Sequence, residues 1–263
     1  TDALYANTIG TSNIAIGKNA LKDNTLGLRN LAIGQQALNG NTTGVNNIGF
    51  GYQSSLTNLV GINNTAVGFQ TLYNNTTNNN NAFGYKALLN NTTGTGNTAI
   101  GNGSLQNNTI GNYNSAFGET ALRYNTTGTK NTAVGCNSLF NNTIGANNVS
   151  VGFQSMFYNT TGGNNSAFGY RALFVNTIGS FNSAFGYKSL YNNTTGISNS
   201  GFGFYSLFSN TTGINNSAFG LYALRGNTVG SRNTAMGRDA LRLTTSGSNN
   251  AAVGFHALRN NTI

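Results

Sequence analysis

The chain has 263 residues, including 36 Gly and no Pro or Trp, and only 6% of its residues are charged. Its 4 acids and single His are spread along the whole length, which excludes the usual carboxylate pairs, nucleophile–base sets and metal-ligand clusters, so we expect neither an enzyme nor a cofactor. The net charge of +9 comes from scattered single Lys and Arg residues, a pattern that favours solubility over nucleic-acid binding.

One unit of 17 residues repeats along the chain, as in the stretch NTAVGCNSLFNNTIGAN that begins at Asn131. The first Gly of the unit recurs every 17 residues, apart from one interval of 16 between Gly68 and Gly84. A second Gly follows ten residues after the first. Its substitute in the short unit is Asn78, and because Asn tolerates a left-handed backbone, we expect that backbone at this position. A period this regular predicts a solenoid of stacked coils.

We number the positions of the unit as columns 1 to 17 from its first Asn. The columns differ sharply in the residue types that they contain. Column 1 is Asn, column 12 is Asn except at Thr244, column 3 is mostly Ala, column 4 is always apolar, column 8 is small and column 9 is nearly always Leu. Columns 2–4 and 8–10 read as short strands, with bends at the glycines of columns 5 and 15. Two glycines per unit exclude helix. The pattern predicts an all-β fold, a parallel β-solenoid (β-roll or β-helix) of about fifteen 17-residue coils.

Stacked coils place equivalent side chains about 4.8 Å apart, so each Asn column becomes a ladder of hydrogen-bonded amides. We therefore expect inward-facing structural ladders formed by Asn97, Asn114, Asn131, Asn165 and Asn182 in column 1 and by Asn108, Asn142, Asn176 and Asn193 in column 12.

Column 4 should point away from columns 1 and 3, because side chains alternate along a strand. An apolar stripe of that length favours burial against copies of the chain. The alternative is that the following Gly turns column 4 into the core of the monomer. The candidate self-assembly stripe consists of Phe168, Phe185, Phe202 and Phe219, beside Tyr170, Tyr187 and Phe204 in column 6.

The repeat runs without a linker, which predicts one continuous domain over residues 1–263, cut part-way through a coil at both ends. Neither end has a polar capping unit, so we expect end-to-end continuation, either by more chain or by stacked subunits. No apolar run reaches membrane-spanning length, and we expect no direct membrane insertion.

The motif NTAIG at 97–101, followed by TIG at 109–111, resembles the Ala-Ile-Gly repeats of trimeric autotransporter adhesin heads and of related bacterial and phage surface fibres. The resemblance implies a left-handed parallel β-roll, three chains side by side, and binding of host matrix or other cells. Adhesin-head units are shorter, and here the segment between the two glycines carries an additional Asn-Thr-Thr stretch, as at 193–195.

Three functions follow from these observations. The first is a structural protein, a shaft or filament subunit of an extracellular, cell-surface or virion fibre that assembles with itself as a homo-oligomer. The second is an adhesin-like module that binds glycan or matrix through exposed aromatic side chains such as Phe174, Tyr191 and Phe208. The third is an ice-binding solenoid, disfavoured because the Thr residues of columns 13 and 14 are adjacent and should point to opposite faces.

Overall fold

The computed structural model of the chain describes residues 2–262, which form short strands and turns only. The contacts within the chain divide it into two compact units, Thr1–Lys130 and Asn131–Ile263. Across the described residues there is no helix with the length and hydropathy needed to cross a bilayer.

Each strand has three residues and occupies columns 2–4 of its repeat, and within each unit neighbouring strands pair in parallel. The strands of the first unit are β1 (Ile14–Ile16), β2 (Leu31–Ile33), β3 (Ile48–Phe50), β4 (Thr65–Val67), β5 (Asn81–Phe83), β6 (Thr98–Ile100) and β7 (Ser115–Phe117). Those of the second are β8 (Thr132–Val134), β9 (Val149–Val151), β10 (Ser166–Phe168), β11 (Ser183–Phe185), β12 (Ser200–Phe202), β13 (Ser217–Phe219), β14 (Thr234–Met236) and β15 (Ala251–Val253).

Within each unit, partners across the sheet are equivalent positions of successive repeats. Ala167 of β10 lies opposite Ala184 of β11, and Phe168 lies opposite Phe185. The predicted all-β parallel solenoid with a coil of 17 residues is therefore confirmed in both units.

The core of each coil is thin and consists of Ala and Leu. In the coil that contains β10, the fully buried apolar side chains are Ala167 of column 3, Ala172 of column 8 and Leu173 of column 9. Burial of the Leu side chain contributes about 1.5–3 kcal/mol per coil. Because each coil buries so little apolar volume, polar contacts have to supply much of the remaining stabilisation.

The second predicted strand, at columns 8–10, is wrong. Ala172 and Leu173 are neighbours in sequence, yet both are buried, whereas successive side chains of a strand point to opposite faces. Leu173 has a left-handed backbone with φ 52°, and so does Arg171 with φ 50°. This turn brings columns 8 and 9 to the same side.

The left-handed residues in the turn cost roughly 1–2 kcal/mol each. Hydrogen bonds between coils offset that cost. The N–H of Arg171 donates to Phe153 O of the preceding coil at 3.0 Å, and the N–H of Leu173 donates to Ser189 O of the following coil at 2.9 Å. The turn is thus bonded to both neighbouring coils, in agreement with the absence of Pro from the chain.

The glycines of column 15 serve a different purpose from the one expected. Gly179 has no left-handed φ, but a Cβ at this position would lie 2.5 Å from Gly196 O and would collide with the Asn176 side chain. The backbone of the next coil and the Asn ladder leave room for a hydrogen atom only. Close approach, rather than φ, therefore requires Gly here.

The short coil keeps the strand register, since Ala66 of β4 still lies opposite Ala82 of β5. The carbonyl of Thr77 takes the place of the column-15 Gly carbonyl and accepts from Asn64 Nδ2 at 2.6 Å and from Asn75 Nδ2 at 2.9 Å. Asn78 aligns with column 16, without a left-handed φ. The expectation of a left-handed Asn78 is therefore wrong: the missing residue lies in column 14, one turn position earlier.

Candidate functional site: Asn ladders and two outer ring surfaces

The column-1 Asn side chains bond each coil both to its neighbour and to the Gly turn. In the first unit, the Asn114 N–H donates to Asn97 Oδ1 at 2.9 Å, and Asn97 Nδ2 donates to Gly111 O at 2.8 Å. In the second unit the Asn182 N–H donates to Asn165 Oδ1 at 2.9 Å. Asn131 Nδ2 donates to Gly145 O at 2.8 Å.

The column-12 Asn side chains form a second ladder. Asn108 Nδ2 donates to Asn91 Oδ1 at 2.8 Å in the first unit. In the second unit Asn176 Nδ2 donates to Asn159 Oδ1 at 2.7 Å, and Asn193 Nδ2 donates to Asn176 Oδ1 at 2.9 Å. Asn142 Nδ2 donates to Gly145 O at 3.0 Å. All nine ladder residues predicted from the sequence are fully buried, and the predicted Asn ladders are present in both units.

The column-4 side chains lie on the outer side of the sheet. Phe219 is 38% exposed and Phe50 of the first unit is 50% exposed, whereas the central residues of their strands, Ala218 and Gly49, are buried. The rings of the second unit stack in a row, with centroid distances of 4.7 Å for Phe168–Phe185 and 4.9 Å for Phe202–Phe219. The alternative in which column 4 forms the monomer core is therefore wrong.

The column-6 rings form a row of their own. Tyr170, Tyr187 and Phe204 stack at 5.1 and 5.0 Å, and both Tyr187 and Phe204 make edge contacts with the column-7 ring of Tyr205. The predicted stripe is thus divided. We call the column-4 side chains of the second unit the outer Phe row, and the side chains of its columns 6, 7 and 10 the aromatic–cation face.

The column-10 rings complete that face. Phe174 stacks on Tyr191 at 5.1 Å with an interplanar angle of 11°, and Tyr191 stacks on Phe208 at 5.3 Å. Because each ring covers the face of the next, the row presents ring edges to the surface. These three residues were the predicted glycan-gripping aromatics, and stacking of a sugar on an open ring face is not available where the rings cover one another.

One polar cluster was missed by the sequence reasoning. Asp239, in column 7, is almost completely buried and contacts Arg242 at 3.0 Å and Arg238 at 3.4 Å. His256 Nε2 lies 3.2 Å from Asp239 Oδ2. His256 itself is an exposed side chain, and only its contact with Asp239 went unpredicted. The two residues are 17 apart in sequence and occupy the same column of successive coils, which is the signal that could have revealed the contact.

The electrostatics of Asp239 follow from this cluster. Burial by itself would raise the pKa of the Asp239 carboxyl, but the charge of Arg242, the hydrogen bond from Arg238 and the contact with His256 outweigh it and lower that pKa below its ordinary value. In residues 2–262 no group of three or more His, Cys, Asp and Glu side chains comes together that could hold a metal ion.

Comparison of the chain with protein-family models, with curated proteins and with solved structures finds no match. The likeness to adhesin-head repeats therefore remains a likeness of motif.

Proposed function

We propose that this chain is a structural protein, a shaft or filament subunit of an extracellular or surface fibre, whose solenoid associates laterally with copies of itself through the outer Phe row. The observation that supports it best is the outward position of column 4, which is apolar in every coil. Of the eight column-4 residues of the second unit, four are exposed and four are half-buried. At roughly a third to a half of side-chain areas of about 150–200 Å², they leave on the order of 500 Å² of apolar surface open. That lies at the upper end of what soluble monomers expose.

The chemistry of the coil also fits a scaffold. Fully buried Asn ladders and hydrogen bonds between coils give a rigid, repetitive body. Three chains are the preferred number, because the motif resembles that of trimeric adhesin heads. Since the ring faces of Phe174, Tyr191 and Phe208 cover one another, the structural role is favoured over an adhesin that stacks sugars on these rings.

Light scattering on the purified chain tests the proposal. A single chain has a mass of 27.5 kDa, and we expect about three times that mass. Replacing the four Phe residues of the outer Phe row by Thr should dissociate the assembly and keep the β-rich circular dichroism spectrum. The variant changes Phe168, Phe185, Phe202 and Phe219.

The matched control replaces four stacked rings on the other surface, those of column 10, by Thr. It changes Phe157, Phe174, Tyr191 and Phe208. This variant should keep the mass of the assembly. A monomeric wild-type chain, or equal dissociation of both variants, would contradict lateral association through column 4.

A further inference from the structure

The aromatic–cation face places cations against aromatic rings on several coils of the second unit. Lys188 Nζ lies 5.4 Å from the ring centroids of both Tyr187 and Tyr191. The Arg225 guanidinium lies 5.3 Å from the Tyr222 ring. One coil before Lys188, the Arg171 guanidinium lies 5.1 Å from a column-10 ring, that of Phe174. The cations thus hold fixed positions in a row along the coils.

These charges have little compensation from acids. Residues 131–263 contain seven Lys and Arg but one acid, Asp239, and that carboxylate is buried against Arg238 and Arg242. Burial would lower the pKa of Lys188, but Tyr205, Tyr187 and Tyr191 outweigh it and raise that pKa above its ordinary value, so the ammonium stays charged at neutral pH. The face therefore carries net positive charge.

The arrangement of the rings restricts what such a face binds. Single-stranded nucleic acids gain much of their affinity by stacking bases on open aromatic faces. Here Tyr170 covers Tyr187, and Tyr187 covers Phe204, so the surface offers ring edges and phenol hydroxyls instead. Phenol hydroxyls donate and accept hydrogen bonds, and Arg and Lys pair with carboxylates. This combination matches a chain rich in hydroxyl groups that carries acidic groups at intervals.

The spacing of the cations also suits an extended polymer. Arg171 and Lys188 occupy column 7 of consecutive coils, about 4.8 Å apart along the stack, and Arg225 lies two coils beyond Lys188 in column 10. We propose that the aromatic–cation face binds an acidic polysaccharide laid along the coils, with its carboxylates on Arg171, Lys188 and Arg225 and its hydroxyls on the neighbouring tyrosines. This site is separate from the outer Phe row and does not depend on lateral association.

The test measures binding of the purified full chain to alginate, with dextran as the neutral polymer and oligo-dT as the nucleic acid. The site variant is R171Q/K188Q/R225Q. The control variant R29Q/K130Q/R232Q removes the same number of charges from column 17, where all three side chains are exposed. We expect salt-sensitive binding of alginate, no binding of dextran, and affinity at least about fivefold weaker in the site variant only, from three ion pairs of modest strength.

Several results would overturn the proposal. Equal losses of alginate affinity in both variants would show that net charge attracts the polymer without a specific site. Unchanged alginate binding in the site variant would show that these three residues do not form the site. Oligo-dT binding as tightly as alginate would favour a nucleic-acid surface instead. Light scattering on the site variant separates this test from the proposed function, because its mass should equal that of the wild-type assembly.

Discussion

Replacing Asn176 by Leu should remove the centre of the column-12 ladder. Asn176 Nδ2 donates to Asn159 Oδ1 at 2.7 Å and to Gly179 O at 2.9 Å, and its Oδ1 accepts from Asn193 Nδ2 at 2.9 Å. The Gly179 carbonyl keeps a second donor, Asn165 Nδ2. Asn159 Oδ1 loses this donor and Asn193 Nδ2 loses this acceptor, and both groups stay buried.

The expected cost follows from those two groups. A buried polar group left without its partner costs about 1–3 kcal/mol, so the free energy of unfolding should fall by roughly 3–5 kcal/mol. For a chain of this size each kcal/mol lowers the Tm by about 2–4 °C, which predicts a drop of about 10 °C.

Thermal melts followed by circular dichroism measure that drop against a matched control. Asn192→Leu makes the same substitution in column 11 of the following coil, at a half-buried side chain. It should change the Tm little. Equal Tm values for the two variants would refute the conclusion that the inner Asn column stabilises the solenoid.

Two further predictions concern the short coil and the acidic cluster. Inserting one Gly after Thr77 should restore the missing turn position and the regular ladder contacts of Asn75. We therefore expect the Tm to stay equal or to rise by the equivalent of about 1 kcal/mol. A clear drop in Tm would show that the shortened turn is required. The contribution of Asp239 depends on its lowered pKa, so it is complete above the ordinary value of 3.8 and is lost as the pH falls through the folded-state value. Urea unfolding of the wild type and Asp239→Asn should therefore differ more at about pH 6 than at about pH 3, and an equal difference at both pH values would contradict the lowered pKa.

Much of the fold was readable from the period alone. In a solenoid, residues 17 apart become neighbours in space, so a constant column such as that of Asn165 and Asn182 predicts a contact between its members. The same rule applies to Asp239 and His256, although their column varies in composition and the pair was overlooked. Alternation along the strand likewise predicted that column 4 faces away from column 3.

The tertiary structure decided the conformation of the turns. The small residue and Leu of columns 8 and 9 look like a strand in sequence, but hydrogen bonds from Arg171 to one neighbouring coil and from Leu173 to the other hold a left-handed backbone there. Local propensity disfavours that backbone for Leu, so only bonds between coils select it. The Gly of column 15 is likewise required by the approach of the next coil, which no local pattern reveals. The sequence likewise placed Tyr170 and Phe168 on one stripe, whereas the column-6 rings stack in a row of their own and contact the column-7 ring of Tyr205.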